Sequence, residues 1–81
     1  MNYVIIFIIR EIMLQYSAES FTMAIHITEL VIPVLENEYG NKVYVQLYER
    51  LSFGNYRRWK DDESGIDDLA DYIDYKNEVI D

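Results

Sequence analysis

Residues 61–81 read DDESGIDDLADYIDYKNEVID, and this stretch carries the whole net charge of the chain. It contains nine of the fifteen carboxylates and a single base, Lys76, so its local charge is −8. The rest of the 81-residue chain balances six acids against six bases. So uneven a distribution directs the search for a functional surface to the C-terminal segment.

The apolar residues of this segment predict an amphipathic helix over residues 65–80. At about 100° per residue they fall on one face, which can dock on a core. Ser64 followed by Asp67 resembles a capping box and favours a helix start at this point. The predicted docking face consists of Ile66, Leu69, Ala70, Ile73 and Ile80. Beside it lies a line of carboxylates, the acidic ridge, formed by Asp67, Asp71, Asp74, Glu78 and Asp81.

The acidic ridge conflicts with the charge preferences of an isolated helix. Asp74 and Glu78 crowd the negative end of the helix dipole, and Lys76 has no acid three or four residues away. Like-charge neighbours at these spacings cost about 0.2–0.5 kcal/mol each, or about 1–2 kcal/mol over the ridge. Two interpretations follow: a solvated face that keeps a small protein soluble, or a surface that binds a positively charged partner. We favour the second.

Length and composition limit the remaining possibilities. A chain of 81 residues predicts one domain, residues 1–81, and 51% hydrophobic residues favour a folded protein over a disordered one. The absence of cysteine fits a reducing compartment. The apolar run Val4–Ile9 is too short to cross a bilayer, so we expect a soluble, cytoplasmic protein. A pI near 4.4 argues against direct nucleic-acid or membrane binding and favours basic partners.

Strand patterns dominate the first sixty residues. Residues 3–9 predict a buried central strand, with a buried helix extending to Tyr16 as the alternative. Ile12 to Ser20 is ambiguous, with a short helix as one interpretation. The alternation from Phe21 to Thr28 predicts a half-buried strand. Pro33 favours an edge strand or a bulge over residues 30–36, whereas a helix over 28–39, ended by Gly40, is the alternative.

Turn signals at residues 38–42 and 52–55 separate two further strands, which we expect over 43–48 and 56–60. The predicted fold class is therefore α+β. It consists of a small antiparallel meander of three to five strands, with the C-terminal acidic helix, about 65–80, packed on one face.

No residue pattern predicts a catalytic, metal or cofactor site. His26 is the only histidine, and a site built from His26, Asp61 and Glu63 is the weakest hypothesis because so short a chain leaves little room for a pocket. The acidic loop, residues 61–65, does not fit an EF-hand calcium site, because Lys60 would take the first ligand position. The basic and aromatic residues 56–60 adjoin acids, so we expect internal pairing there, with contact to a ligand as the alternative.

The leading hypothesis is a non-enzymatic acidic inhibitor that docks on the basic, nucleic-acid-binding surface of a partner protein. Successive carboxylates on a helix lie about 5–6 Å apart, which permits partial mimicry of a nucleic-acid backbone. Tyr72 and Tyr75 would anchor the interface. The predicted partner-binding residues are Asp61, Asp62, Glu63, Asp67, Asp68, Asp71, Tyr72, Asp74, Tyr75 and Glu78.

In composition and charge placement only, the chain looks like the small proteins that phages use against host defence enzymes, such as anti-CRISPR and anti-restriction proteins. That likeness implies a viral inhibitor acting in the host cytoplasm. The alternative hypothesis is a structural or oligomer-forming domain that uses an exposed strand edge, near Pro33 or along strand 43–48. It would form a homodimer that salt does not dissociate.

Overall fold

The computed structural model describes residues 2–80, except the side chain of Ile80, and contains a four-stranded antiparallel sheet with two helices on one face. The strand order is β2-β1-β3-β4. The α+β class and the C-terminal helix packed on the sheet are therefore confirmed. Asp81, a member of the acidic ridge, lies outside the described residues. The elements are β1 (Tyr3–Ile9), β2 (Ile12–Ala18), α1 (Phe21–Tyr39), β3 (Tyr44–Ser52), β4 (Asn55–Arg58) and α2 (Leu69–Ile80).

β1 lies in the interior of the sheet, as its apolar run predicts. It pairs with β2 along one edge and with β3 along the other. Ile5, Phe7 and Ile9 are completely buried beneath the helices. Ile6 and Ile8 alternate with them and face the opposite, helix-free side of the sheet. This division explains why β1 is apolar at every position.

β2 occupies the segment for which the sequence was ambiguous. Arg10 adopts a left-handed backbone with φ 54°, and this permits a tight two-residue turn through Glu11. The seven residues of β2 then pair in continuous register with β1, from Ile9 with Ile12 to Tyr3 with Ala18. The short helix considered for this segment is wrong because the adjacent strand offers a complete ladder of backbone partners.

α1 replaces the strands expected from Phe21 onward. Ser20 caps the helix, its hydroxyl accepting a hydrogen bond of 3.1 Å from the backbone N–H of Met23. Eleven of the fifteen positions from 21 to 35 are apolar, counting proline, so both alternation and helical periodicity can be fitted to them. Ala24, Thr28 and Leu35 nevertheless share one helical face and are buried, and burial of that face decides the outcome.

The end of α1 agrees with the alternative that placed a helix over 28–39. Gly40 adopts a left-handed backbone with φ 68°, and its N–H donates to the carbonyl of Glu36 at 2.8 Å. Pro33 lies inside the helix, where it leaves the carbonyl of Glu29 without its usual helical donor. The expected edge strand around Pro33 is therefore wrong.

β3 and β4 form the second predicted hairpin. Val43, Val45 and Leu47 are buried, as their alternation indicates. The pairing register shifts between Arg50 and Ser52 before the turn into β4. β3 lies between β1 and β4, but β4 pairs with it only from Tyr48 to Ser52. Along segment 43–48 the N–H of Val45 donates instead to the carboxylate of Asp68 at 3.0 Å.

α2 begins at Leu69, four residues later than predicted. Leu69, Ala70 and Ile73 are buried against the sheet and α1, which confirms the core of the predicted docking face. Neither helix within residues 2–80 combines the length and the apolarity needed to cross a membrane.

Candidate functional site

Asp61 organises the acidic loop that follows β4. One carboxylate oxygen of Asp61 accepts hydrogen bonds from the backbone N–H groups of Glu63, at 3.1 Å, and Ser64, at 3.0 Å. The N–H of Gly65 donates to the carbonyl of Asp61 at 2.8 Å, and the φ of 76° at Gly65 suits a residue without a side chain. Asp61 therefore shapes the loop, and its carboxylate is already hydrogen-bonded.

Asp68, and not Ser64, caps the start of α2. One of its carboxylate oxygens accepts from the N–H groups of Ala70 at 2.9 Å and Asp71 at 3.2 Å. The other accepts from the N–H of Val45 at 3.0 Å. Because β4 does not extend alongside Val45, this carboxylate satisfies a backbone donor of β3 while it fixes the helix start. The predicted capping box at residues 64–67 is wrong for this reason.

The two structural carboxylates have pKa values shifted in opposite directions. The hydrogen bonds from the backbone and hydroxyl of Ser64, with that from Glu63, hold the pKa of Asp61 below its ordinary value. Burial raises the pKa of Asp68, an effect opposed by the N–H groups of Val45, Asp71 and Ala70. Both residues serve the fold, so neither is a good probe of partner binding.

Two members of the acidic ridge lie near bases of the same chain. Lys42 Nζ is 3.4 Å from Asp71 Oδ1, and Arg58 lies 4.0 Å from Asp67. The side chains of both pairs are about half exposed. Exposed pairs of this kind contribute about 0–1 kcal/mol, so a basic partner could replace the lysine or arginine at small cost.

Four further carboxylates of the segment, Asp62, Glu63, Asp74 and Glu78, are exposed to solvent. Within residues 2–80, no ion pair joins Asp62, Glu63, Asp74 or Glu78 to a base of the chain. Asp67 precedes the helix, so the carboxylates that follow one another along α2 are Asp71, Asp74 and Glu78. We define the acidic surface as Asp62, Glu63, Asp67, Asp71, Asp74, Tyr75 and Glu78.

Tyr72 belongs to an aromatic cluster that joins α2 to α1. Its ring centroid lies 5.0 Å from that of Trp59 and 6.5 Å from that of Phe21, both in edge-on arrangements. Trp59 also lies 5.7 Å from Phe21. Tyr72 is half-buried in these contacts, so it stabilises the packing of α2 and is poorly placed as an interface anchor.

Tyr75 is better exposed than Tyr72. Its relative exposure is 44%, and it lines a shallow cleft of about 280 Å³ together with Asp61, Glu63 and Ser64. An aromatic ring beside carboxylates suits the guanidinium of an arginine or the ammonium of a lysine. This cleft is the point on the acidic surface where apolar and charged contacts can combine.

No family model, curated protein or solved structure matches the chain. The acidic surface is therefore interpreted from its own charges and contacts.

The remaining sequence-predicted residues do not add to the acidic surface. Arg57 Nη2 lies 2.8 Å from Glu49 Oε2, and together with the contact between Arg58 and Asp67 this agrees with internal pairing of the basic strand. His26 is exposed on α1 rather than on a strand. No group of three His, Cys, Asp or Glu side chains suited to a metal ion occurs in the described part of the chain.

The helix-free face of the sheet was not identified from the sequence. Val4, Ile6 and Gln15 line a shallow cavity of about 370 Å³ on this face, with Tyr48 and Tyr56 at its side. Alternation within β3 is the sequence signal for this surface. Knowing which strands are adjacent requires the sheet order.

Proposed function

We propose that this chain is a non-enzymatic binding protein whose acidic surface docks on a basic, nucleic-acid-binding surface of a partner protein. Binding would exclude the nucleic acid by competition. The observation that carries the proposal is the group of exposed carboxylates at Asp62, Glu63, Asp74 and Glu78, which the bases of residues 2–80 leave unneutralised. A partner rich in arginine and lysine supplies the missing charge.

Electrostatic attraction and local contacts would contribute different parts of the binding. A net charge of −8 concentrated on one side speeds association with a positive surface and makes the rate sensitive to salt. Tyr75, beside the loop carboxylates, provides the contact that slows dissociation. Asp61 and Asp68 support this surface indirectly, by fixing the loop and the start of α2.

Mimicry of a nucleic acid would be partial. Asp71, Asp74 and Glu78 follow one another along one side of α2 at about 5–6 Å, whereas each DNA strand carries one phosphate per about 3.4 Å of axis. The acidic loop lies beside Tyr75 and adds further carboxylates next to this line. A phage inhibitor of a host defence enzyme, such as an anti-CRISPR or anti-restriction protein acting in the host cytoplasm, fits this chemistry.

The test is a variant that neutralises four carboxylates without touching the structural ones. Asp67→Asn, Asp71→Asn, Asp74→Asn and Glu78→Gln are combined, and proteins are captured from a host lysate at low and at moderate salt. We expect the unmodified chain to retain a nucleic-acid-binding protein and the quadruple variant to lose it, a drop in affinity of about 100-fold or more.

The matched control removes the same number of negative charges elsewhere. Glu11→Gln, Glu29→Gln, Glu36→Gln and Glu38→Gln change the net charge equally but leave the acidic surface intact. This control should retain the partner, and the captured protein should lose nucleic-acid binding when the chain is added. Equal capture by the quadruple variant, with its circular dichroism unchanged, would refute the proposal.

A further inference from the structure

β2 forms one edge of the sheet and lacks the features that usually protect an edge strand. Its seven residues, Ile12–Ala18, include no charged residue and no proline. Its register with β1 is continuous, without a bulge. Every second residue directs its N–H and C=O away from β1. Such an edge is a template for another strand unless lysine, proline, a bulge or short length prevents pairing.

The opposite edge of the sheet is protected in several of these ways. β4 has only four residues, and two of them are Arg57 and Arg58. Its pairing with β3 is interrupted by a register shift between Arg50 and Ser52. The two edges are therefore unequal, and β2 is the one left open to pairing.

α1 carries an exposed apolar stripe that consists of Met23, Ile27, Leu30 and Val34. Met23, Leu30 and Val34 are 48%, 60% and 61% exposed, and Ile27 is half-buried. The four residues follow one another at spacings of four, three and four, and at about 100° per residue they fall within a sector of about 60°. This spacing is that of a seam between two packed helices.

The stripe lies on the side of α1 that faces away from α2. Glu29, Ile32 and Pro33 line the groove shared with α2, and the sector facing the sheet contains Ala24 and Leu35. By helical geometry the stripe occupies the side opposite the groove. Because α1 packs on β1 and β2 whereas α2 packs on β3, that side overhangs the open edge of β2.

We propose that a second copy of this chain binds at this edge across a two-fold axis, with β2 paired antiparallel to β2 of the second copy and α1 packed against its α1. The two sheets would form one continuous eight-stranded sheet. The apolar stripes would be buried in the same interface.

The spacing of the elements supports simultaneous pairing of strands and helices. Neighbouring strands lie about 4.8 Å apart, and α1 lies over β1 and β2. Continuing the sheet across the axis would place the two copies of α1 about 10 Å apart, which is close to the usual distance between packed helices. Met23 would then lie near Val34 of the second copy, and Ile27 near its Leu30.

The sequence of β2 is suited to pairing with itself. With the axis at Gln15, the middle residue, all seven positions of Ile12–Ala18 find a partner. Leu14 would oppose Tyr16 of the second copy, an apolar and aromatic pair of the kind that stabilises adjacent strands. Because β2 is uncharged, no like charges meet among these seven pairs.

The distribution of charge also favours a second copy. α2 packs on β3, and β3 lies two strands from β2, or about 10 Å. This distance exceeds the Debye length of about 8 Å at physiological salt. Two-fold pairing at β2 places the acidic surfaces at the outer ends of the dimer, so repulsion between them is weak. The inference is independent of the proposed function.

Sedimentation equilibrium of the full chain tests the assembly. We expect a mass of twice 9.7 kDa, unchanged between low and physiological salt because neither the paired strands nor the apolar stripes carry a charge. Leu30→Glu should raise the dimer dissociation constant by about 100-fold or more, since the charge would lose its water. Leu51→Glu is the matched control at similar exposure, 56% against 60%, and should remain dimeric.

A disulfide tests the register, because the chain contains no cysteine. Gln15→Cys would face its own copy across the axis and should form a dimer linked by oxidation. Ser17→Cys, two residues along the same strand, would lie too far from its copy to be linked. A monomer at all concentrations, unchanged dimerisation of Leu30→Glu, or oxidative linking of Ser17→Cys in preference to Gln15→Cys would overturn the proposal. So would binding at β2 by a different protein alone.

Discussion

Carboxylates of the C-terminal segment differ in their structural roles, although the sequence does not distinguish them. Asp61 and Asp68 accept backbone hydrogen bonds, and Asp68 joins α2 to β3. Asp74 and Glu78 are exposed on α2. A count of charge cannot separate these groups, because the difference lies in which N–H groups each oxygen can reach.

The lowered pKa of Asp61 predicts a pH-dependent contribution to stability. The folded state favours the ionised form, so the stabilisation is complete above the ordinary value of 3.8 and is lost as the pH falls through the lower folded pKa. Asp61→Asn should therefore lower the melting temperature at neutral pH and have less effect in acid. The difference in melting temperature between Asp61→Asn and the unmodified chain is measured by circular dichroism at pH values from neutral to strongly acidic.

Asp62→Asn is the control for Asp61→Asn. It removes a neighbouring charge that has no hydrogen bond to the loop backbone among the described residues. The change in melting temperature caused by Asp62→Asn should not vary with pH in the way expected for Asp61→Asn. A melting-temperature difference for Asp61→Asn that stays constant into strong acid would contradict the assigned hydrogen bonds.

At the scale of an element, α1 shows how tertiary burial overrides local preference. Pro33 disfavours an interior helical position, and the apolar residues before it also fit a strand. The helix forms because a face containing Ala24, Thr28 and Leu35 is buried by the sheet. The hydroxyl of Thr28 donates to the carbonyl of Ala24 at 2.8 Å, so its one buried polar side chain is satisfied within the helix.

Pro33 should therefore weaken α1, and replacing it should stabilise the protein. Pro33→Ala restores a donor for the carbonyl of Glu29, and we expect the free energy of unfolding to rise by about 1–2 kcal/mol. Urea denaturation measures this change. Asn37→Ala, at another exposed position of α1, is the control for helix propensity. It should raise the free energy of unfolding by less than about 1 kcal/mol. A decrease for Pro33→Ala would mean that packing of its ring against α2 outweighs the missing hydrogen bond.

At the scale of the whole molecule, the fold separates charge from neutral apolar surface. α2 and the acidic loop lie toward the β3 and β4 side of the sheet, whereas β2 and the apolar stripe of α1 lie toward the other. The surface proposed for a basic partner and the surface proposed for a second copy are therefore separate on the molecule.

Self-repulsion of the acidic surface predicts that salt stabilises the protein. Raising ionic strength from about 0.01 M to about 0.15 M shortens the Debye length from about 30 to about 8 Å. Relief of about 1 kcal/mol of repulsion should raise the melting temperature by about 4–8 °C. The measurement is made at constant protein concentration, because dimerisation also affects melting.

The quadruple variant that neutralises Asp67, Asp71, Asp74 and Glu78 provides the comparison. It should melt at a higher temperature at low salt and respond less to added salt. If the unmodified chain melted at the same temperature at both ionic strengths, repulsion between the carboxylates of the acidic surface would not destabilise the fold.

The amino-acid sequence by itself determined the features that depend on neighbours along the chain. These are the central strand β1, the turns at residues 38–42 and 52–55, the docking face of α2 and the concentration of carboxylates in the last third. Each follows from local periodicity, turn chemistry or composition, for which no knowledge of distant residues is needed.

Only the tertiary structure decided the remaining features. It placed a helix at Phe21–Tyr39. It also showed that Asp68 caps α2 and accepts from the N–H of Val45. Tyr72 packs in the cluster with Trp59 and Phe21. The tertiary structure also placed β2 at one edge of the sheet and β3 between β1 and β4. The physical reason is that burial and hydrogen-bond satisfaction depend on groups that are distant in sequence and become neighbours only when the sheet has formed.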